Sequence, residues 1–275
     1  MARPLVWSDG IMHKQETLNR QAWRTPLSRL HYKKSSGYAS EGERTVLAEA
    51  ASAFRSPRVL DIGVGGGRTT ALLKSFAGSF TGIDYTPELL DYARAKEPSL
   101  RFEHMDARAM TFESGSFEFA FFSFNGIDSV DGDGRRAIMR EVSRVLVPEG
   151  AFGFSTFNRD WHRFQSGEFG NRLVWTFNPP RLALRLARLA LGRVRAHRFA
   201  KYESHGEDAI FRHGAHDYGI LVYASTPAQV REHLRGAGFH GEISFFDCAG
   251  NSLGDRADPS IEHFHVFARK SPLTA

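Results

Sequence analysis

Val59-Leu60-Asp61-Ile62-Gly63-Val64-Gly65-Gly66-Gly67 is an apolar run that holds one acid and ends in a G-x-G-x-G turn. Arg58 to Ile62 predicts a strand and Arg68 to Ala77 a helix, so the glycines stand at a strand-to-helix turn. Missing Cβ atoms at such a turn let a ligand lie against the main chain and let amides point at it. A Walker loop is excluded because no Gly-Lys-Ser/Thr follows, and a dinucleotide fingerprint fails by one residue, since its third glycine would fall on Arg68.

On either side of this turn the chain alternates. Ser40 and Glu43 have capping-box spacing ahead of a helix from Glu41 to Phe54. Ser79 to Asp84 predicts the second strand, completing a β-α-β unit. Thr86-Pro87 then caps a helix to Lys96, Leu100 to Met105 makes a third strand and Phe117 to Phe124 a fourth. A helix from Asp131–Asp133 to Leu146, a turn at Pro148-Glu149-Gly150 and a fifth strand from Ala151 to Thr156 follow. Thr226-Pro227 caps a helix to Arg235, and Glu242 to Asp247 with Glu262 to Arg269 are expected as an antiparallel last pair. The expected fold is α/β: a doubly wound, mostly parallel seven-stranded sheet with an antiparallel C-terminal strand. Residues 41–158 and 223–275 would form this domain, 1–40 an N-terminal arm, and 159–222 a helical or loop cap over the C-terminal edge of the strands.

The chain has 275 residues, 41% of them hydrophobic, enough for one domain with a large insertion. Mean hydropathy is −0.36, the start from Met1 to Gln15 is polar, and no apolar run approaches ~20 residues. Neither a membrane span nor a signal peptide is therefore expected, and the cytoplasm is the expected location. The single cysteine, Cys248, excludes an internal disulfide and a Cys-rich metal site. Between Arg159 and Lys201 stand ten Lys/Arg and two Asp/Glu, a balance of +8 against +5 for the whole chain. One segment is basic and the rest mildly acidic, which argues against a surface that tracks nucleic acid throughout.

The pattern hydrophobic, Asp61, hydrophobic, G-x-G-x-G resembles class I S-adenosylmethionine-dependent methyltransferases, whose fold is Rossmann-like. Further positions match in order: Asp84 closing the second strand, His104-Met105-Asp106-Ala107 after the third, and Ser123-Phe124-Asn125-Gly126 after the fourth. The resemblance covers about residues 40–158 and, more weakly, 223–269. It implies S-adenosylmethionine as cofactor and S-adenosylhomocysteine as product. Asp61, with Gly63, Val64, Gly65 and Gly67, would lie at the methionine end; Asp84 and Tyr85 at the ribose; Asp106 and Ala107 at the adenine; Phe124 and Asn125 would close the site. The cofactor would carry the hard chemistry, an in-line displacement of a sulfonium methyl, while the protein aligns the partners.

The expected acceptor is an O or N atom of a small, aromatic or apolar metabolite, because aromatic residues gather in the arm and insertion. Tyr32 and Tyr38 in the arm, with Trp161 and Trp175 in the insertion, are the candidate acceptor-lining residues. His216 with neighbouring Asp217 is the candidate general base. His213 and His216 lack a third partner at recognisable spacing, so no metal is expected. Asn178-Pro179-Pro180 lies far from the fourth strand and precedes Arg181, so it reads as a turn and helix start. From Arg181 to Leu191 a cationic helix is expected as a lid, its leucines on the core and its arginines in water; a membrane-surface contact and a clamp on an anionic substrate are the less favoured readings. RNA or protein methylation and a non-catalytic cofactor-binding role are the competing functions, and the sequence leaves the oligomeric state open.

Overall fold

The computed structural model describes residues 12–25, 37–166, 175–214 and 218–271. Ser40 caps α2 through a complete capping box with Glu43; α1 is Met12–Trp23 and α2 is Glu41–Ala53. The core alternation follows: β1 Arg58–Ile62, α3 Thr70–Lys74, β2 Ser79–Asp84, α4 Pro87–Lys96, β3 Arg101–His104 and β4 Phe117–Phe122. After a 3-10 turn at Gly126–Ser129 come α5 Gly132–Val145, capped by the Asp131 side chain, and β5 Leu146–Asn158. The rest is α6 His162–Ser166, α7 Pro179–Phe199, β6 Ala209–His213, β7 Ile220–Ser225, α8 Pro227–Gly236, β8 Ile243–Phe246, β9 Ser252–Leu253 and β10 His263–Arg269.

The sheet runs β3-β2-β1-β4-β5-β10-β8-β9, parallel from β3 to β5, with β10 antiparallel to both β5 and β8. The seven expected strands are all present, and the doubly wound α/β reading holds. Apolar side chains on alternating strand positions divide between two layers. Leu60, Ile62, Ala120, Phe122 and Phe264 pack with α5 and α8 on one face; Val59, Phe119, Phe121 and Phe267 pack with α2 on the other.

Three features depart from expectation. The turn at Pro148-Glu149-Gly150 sits inside β5: the register jumps from Phe117↔Leu146 to Phe119↔Ala151, and Glu149 takes φ 62°. The extra residues bulge out while pairing resumes on either side. The helix expected over Arg68 to Ala77 is only the five residues of α3. The insertion is not confined to helix and loop, because β6 pairs antiparallel with β7, and β7 runs parallel to the end of β5 through Phe157↔Ala224 and Asn158↔Ser225. Phe157 also pairs with His263 of β10. A strand has two edges, so β7 occupies the edge that β4 has vacated.

A buried polar knot ties this seam. Arg135 of α5 and Asp128 are both fully buried with Nε 3.3 Å from Oδ1; Arg135 also donates to Ser225 Oγ at 2.8 Å and Thr156 Oγ1 at 3.0 Å. Asp128 accepts from Thr156 Oγ1 and from the Phe157 amide. Such a pair is costly to desolvate and costlier to break. It therefore locks the 3-10 turn, β5 and β7 in one arrangement.

Candidate functional site

The glycine turn lies at the C-terminal edge of β1. Gly63, Gly65 and Gly67 have φ of 63°, 54° and 81°, left-handed values that side chains disfavour. At Gly63 there is a second constraint, since a Cβ would lie 2.5 Å from the Phe122 ring. The turn is thus an open stretch of main chain, held by Val64 N donating to Ile83 O and by Gly65 N donating to Asp84 Oδ2 at 2.9 Å.

Asp61 points from β1 into a fully buried position below this turn. Its Oδ2 accepts from Thr69 Oγ1 at 3.2 Å, and its Oδ1 has no hydrogen-bond partner. Burial pushes the carboxyl up to about 7, against the pull of the Thr69 hydrogen bond and the Arg68 charge. Asp84 is also buried, and burial raises it too, although the Thr86 and Gly65 amides donate to its two oxygens. Its carboxylate bridges the glycine turn and the start of α4.

Asp106, just beyond β3, is engaged on both oxygens by Arg108: the amide at 2.9 Å and Nε at 3.0 Å reach Oδ1, and Nη2 at 2.6 Å reaches Oδ2. Burial alone would raise this carboxyl, but the Arg108 contacts outweigh it and hold it below the usual range. Ala107 is buried beside it. Arg108 also forks onto Glu16 of α1 at 2.8 and 3.0 Å. From the same helix Trp23 packs 5.9 Å from the Tyr85 ring, and the Arg20 guanidinium stands 4.5 Å over it. The arm therefore forms a wall along the second and third acids. Gln15 and Asn19 fasten it: Asn19 Nδ2 donates to Ser129 O and Leu221 O at 2.8 Å each, and Leu221 N donates back to Asn19 Oδ1.

Beyond β4, Phe124 and Asn125 both take φ near 55°. Phe124 is exposed; Asn125 donates its amide to Ser155 Oγ, and its buried Oδ1 has no partner. Arg68, the residue that broke the dinucleotide pattern, gathers the rim. It pairs with Glu43 of α2, donates to Tyr38 O at 2.6 Å, and lies 5.3 Å from the Tyr38 ring and 4.9 Å from the Phe124 ring. The exposed rings of Tyr38 and Phe124 thus share one guanidinium at the mouth of the glycine turn. Burial would raise Glu43, but Arg68 holds it ionised.

Of the acceptor-lining candidates, Tyr38 is on this rim. Trp161 is 6% exposed and packs edge-on against Phe164 at 5.0 Å in a cluster with Phe157 and Phe211; Trp175 is 66% exposed. Among the described residues no ring contact joins these two tryptophans to Tyr38. Tyr32, His216 and Asp217 lie outside the described residues.

The sequence reading missed a second group at this edge. His263 and His265 alternate onto one face of β10, and Cys248 follows β8 opposite them; their candidate ligand atoms lie within 4.8 Å of one another. Each has partners in the protein: Cys248 Sγ donates to His263 O at 3.2 Å and meets His263 Nε2 at 3.5 Å, while His265 Nε2 meets Ser40 Oγ at 3.3 Å. Burial lowers both imidazoles, His265 to about 4, so both are neutral at pH 7. The i, i+2 spacing of His263-Phe264-His265 was the available signal.

Residues 59–150 match the family model described as a methyltransferase domain. A demethylmenaquinone methyltransferase of Chlorobaculum parvum is 35% identical over 100 residues, 35% of this chain and 39% of that protein. EEF1A lysine methyltransferase 4 of Mus musculus is 34% identical over 34% of this chain and 44% of its own length. The chain thus spans less than half the length of these curated relatives. The solved 1,6-didemethyltoxoflavin-N1-methyltransferase of Burkholderia thailandensis, with 1,6-didemethyltoxoflavin and S-adenosylhomocysteine bound, superposes with a TM-score of 0.56 at 17% identity, covering 98% of this chain and 93% of that one. An S-adenosylmethionine-dependent methyltransferase of Clostridium acetobutylicum gives 0.58 at 13% identity, over 84% of this chain and 91% of its own.

Residues 59–150, about a third of the chain, match a methyltransferase domain, and the fold order and glycine turn resemble those of the class I S-adenosylmethionine-dependent methyltransferases. S-adenosylmethionine is the cofactor of that class, and the unpartnered Asp61 Oδ1 beside an open glycine turn fits its cationic methionine end. No helix among the described residues is long and apolar enough to cross a membrane.

Proposed function

We propose that this protein transfers the methyl group of S-adenosylmethionine to an O or N atom of a small aromatic or apolar acceptor. The observation that carries the reading is the fully buried Asp61, with one oxygen lacking a partner, under a turn of left-handed glycines. A buried carboxylate in that state calls for a cation with N–H donors, which an α-ammonium supplies. The bound cofactor supplies an electrophilic sulfonium methyl. Asp61 would hold the ammonium, the Gly63–Gly65 main chain would lie along the methionine, and Asp84 would use its remaining lone pairs on the ribose hydroxyls. Asp106, with the amide of Ala107, would address the adenine, with Trp23 and Tyr85 alongside. Phe124, Asn125 and Tyr38 would close the site over the reacting end.

An aromatic rim supports an apolar acceptor, as does the resemblance to enzymes named for demethylmenaquinone and didemethyltoxoflavin. His216 with Asp217 remains the proposed general base for a hydroxyl acceptor; His216→Ala would then lower turnover about 10²-fold. Unchanged turnover removes that role. A protein acceptor is the second reading, favoured by the lysine methyltransferase relative. Incubating a cell extract with deuteromethyl-labelled S-adenosylmethionine separates the two: label is expected in a small-molecule fraction, and label confined to protein overturns the acceptor assignment. Calorimetry with S-adenosylhomocysteine tests the cofactor site separately, and absence of binding removes the whole reading, the catalytic role included.

A further inference from the structure

The basic helix α7 does not sit as an amphipathic lid should. Over its 21 residues only Gly192 is buried. The half-buried residues are Leu182, Arg185, Leu189, Arg195, Ala196 and Phe199, and all but Arg195 recur at helical spacing on one face. The opposite arc carries Leu184, Leu191 and Val194, which are 62%, 44% and 55% exposed, together with Ala183, Ala187 and Ala190. Leu186, 46% exposed, flanks it. Just ahead of the helix stand Trp175 and Phe177, the latter 96% exposed. The leucines expected on the core are in large part in water.

Charge completes the pattern. From Pro179 to Lys201 there are six arginines and one lysine and no Asp or Glu. An apolar arc that carries Arg198 on its last turn and has further arginines beside it, with exposed aromatics at its start, is the composition of a helix that lies in a bilayer interface. The absence of acids in this stretch selects an anionic headgroup surface, since cations near such a surface are attracted within a Debye length. Nucleic acid would satisfy the arginines but would leave Leu184, Leu191, Val194 and Phe177 unburied.

We propose that α7 is a peripheral docking element that lays its Leu184–Leu191–Val194 arc, with Phe177, into the surface of an anionic membrane. The insertion leaves the fold after β5 and returns through β7 at the C-terminal edge of the sheet, the edge that holds the glycine turn. Docking would therefore set that edge toward the lipid. This holds whatever the acceptor is, because it rests on the helix and not on the catalytic reading.

The test is co-sedimentation of the full chain with vesicles of equal parts phosphatidylglycerol and phosphatidylcholine, against phosphatidylcholine alone and against single-stranded RNA. Binding is expected to the anionic vesicles only, and to weaken as salt is raised. The double substitution Leu184→Asp and Leu191→Asp, at exposed positions, should weaken it by about tenfold or more while leaving the melting temperature and S-adenosylhomocysteine binding unchanged. Arg193→Glu with Arg198→Glu should abolish it. Failure of the wild-type chain to bind anionic vesicles overturns the proposal. So does binding that survives both double substitutions, or binding to RNA alone, which would assign the arginines to nucleic acid.

Discussion

Burying Asp61 costs the native state stability near neutral pH. Its carboxyl is raised from 3.8 to about 7, so between those values the folded protein holds a proton that the unfolded chain has released, and stability falls as pH rises through that window. A cation beside Asp61 favours the ionised form, so cofactor binding below about pH 7 must expel that proton. The affinity for S-adenosylhomocysteine should therefore weaken by up to about tenfold per pH unit on going down from pH 7, and Asp61→Asn should bind weakly with little pH dependence. Calorimetry across this range checks it, and equal slopes in both proteins would refute the role given to Asp61. At Gly63 the prediction is steric: Gly63→Ala adds a methyl at φ 63° and against Phe122, which should cost about 2 kcal/mol or more in a urea melt. The need for glycine here was legible in the sequence. The orphaned oxygen of Asp61 was not, because it depends on which donors the fold brings near.

At the scale of elements, α1 is held by side-chain to main-chain hydrogen bonds rather than by a sheet pairing. Asn19 satisfies three groups, two of them on Leu221, some 200 residues away in the chain. Asn19→Leu should take the Asn19 partner from the Leu221 amide and the Ser129 carbonyl, while the Leu221 carbonyl keeps Gln15 Nε2 at 3.2 Å, at a cost of about 1–3 kcal/mol. A urea midpoint no lower than that of the wild type would show that α1 is dispensable to the fold. The arm was legible only as short helical pieces with aromatics; its partners are too distant in sequence for any local pattern to name. Strand β7 was obscured for a similar reason. Ile220 to Ser225 is apolar, but its place beside β5 depends on β4 ending at Phe122.

For the whole molecule, the seam at Asp128 and Arg135 decides whether the insertion and the sheet behave as one body. Arg135→Met removes one partner of a fully buried pair and should cost about 3–5 kcal/mol; burial already raises Asp128 to about 7 against the pull of Arg135, so without that charge its carboxyl must be buried protonated. Adding Asp128→Leu should recover much of the loss, since two apolar side chains replace the pair. Denaturant melts of the single and double variants check this; additive losses would mean that the pair is not coupled.

The sequence by itself determined the order of the seven expected strands and the helices between them, the glycine turn, and the acids of β1, of the end of β2 and just beyond β3, because backbone conformation and alternating burial are local demands that residue types must meet. Tertiary structure alone decided how Arg68 joins Tyr38, Phe124 and Glu43, how His263, His265 and Cys248 converge, and that the leucines of α7 face water. Periodicity tells which residues share a face; it does not tell whether another surface lies opposite, since that surface is built from residues far away in the chain.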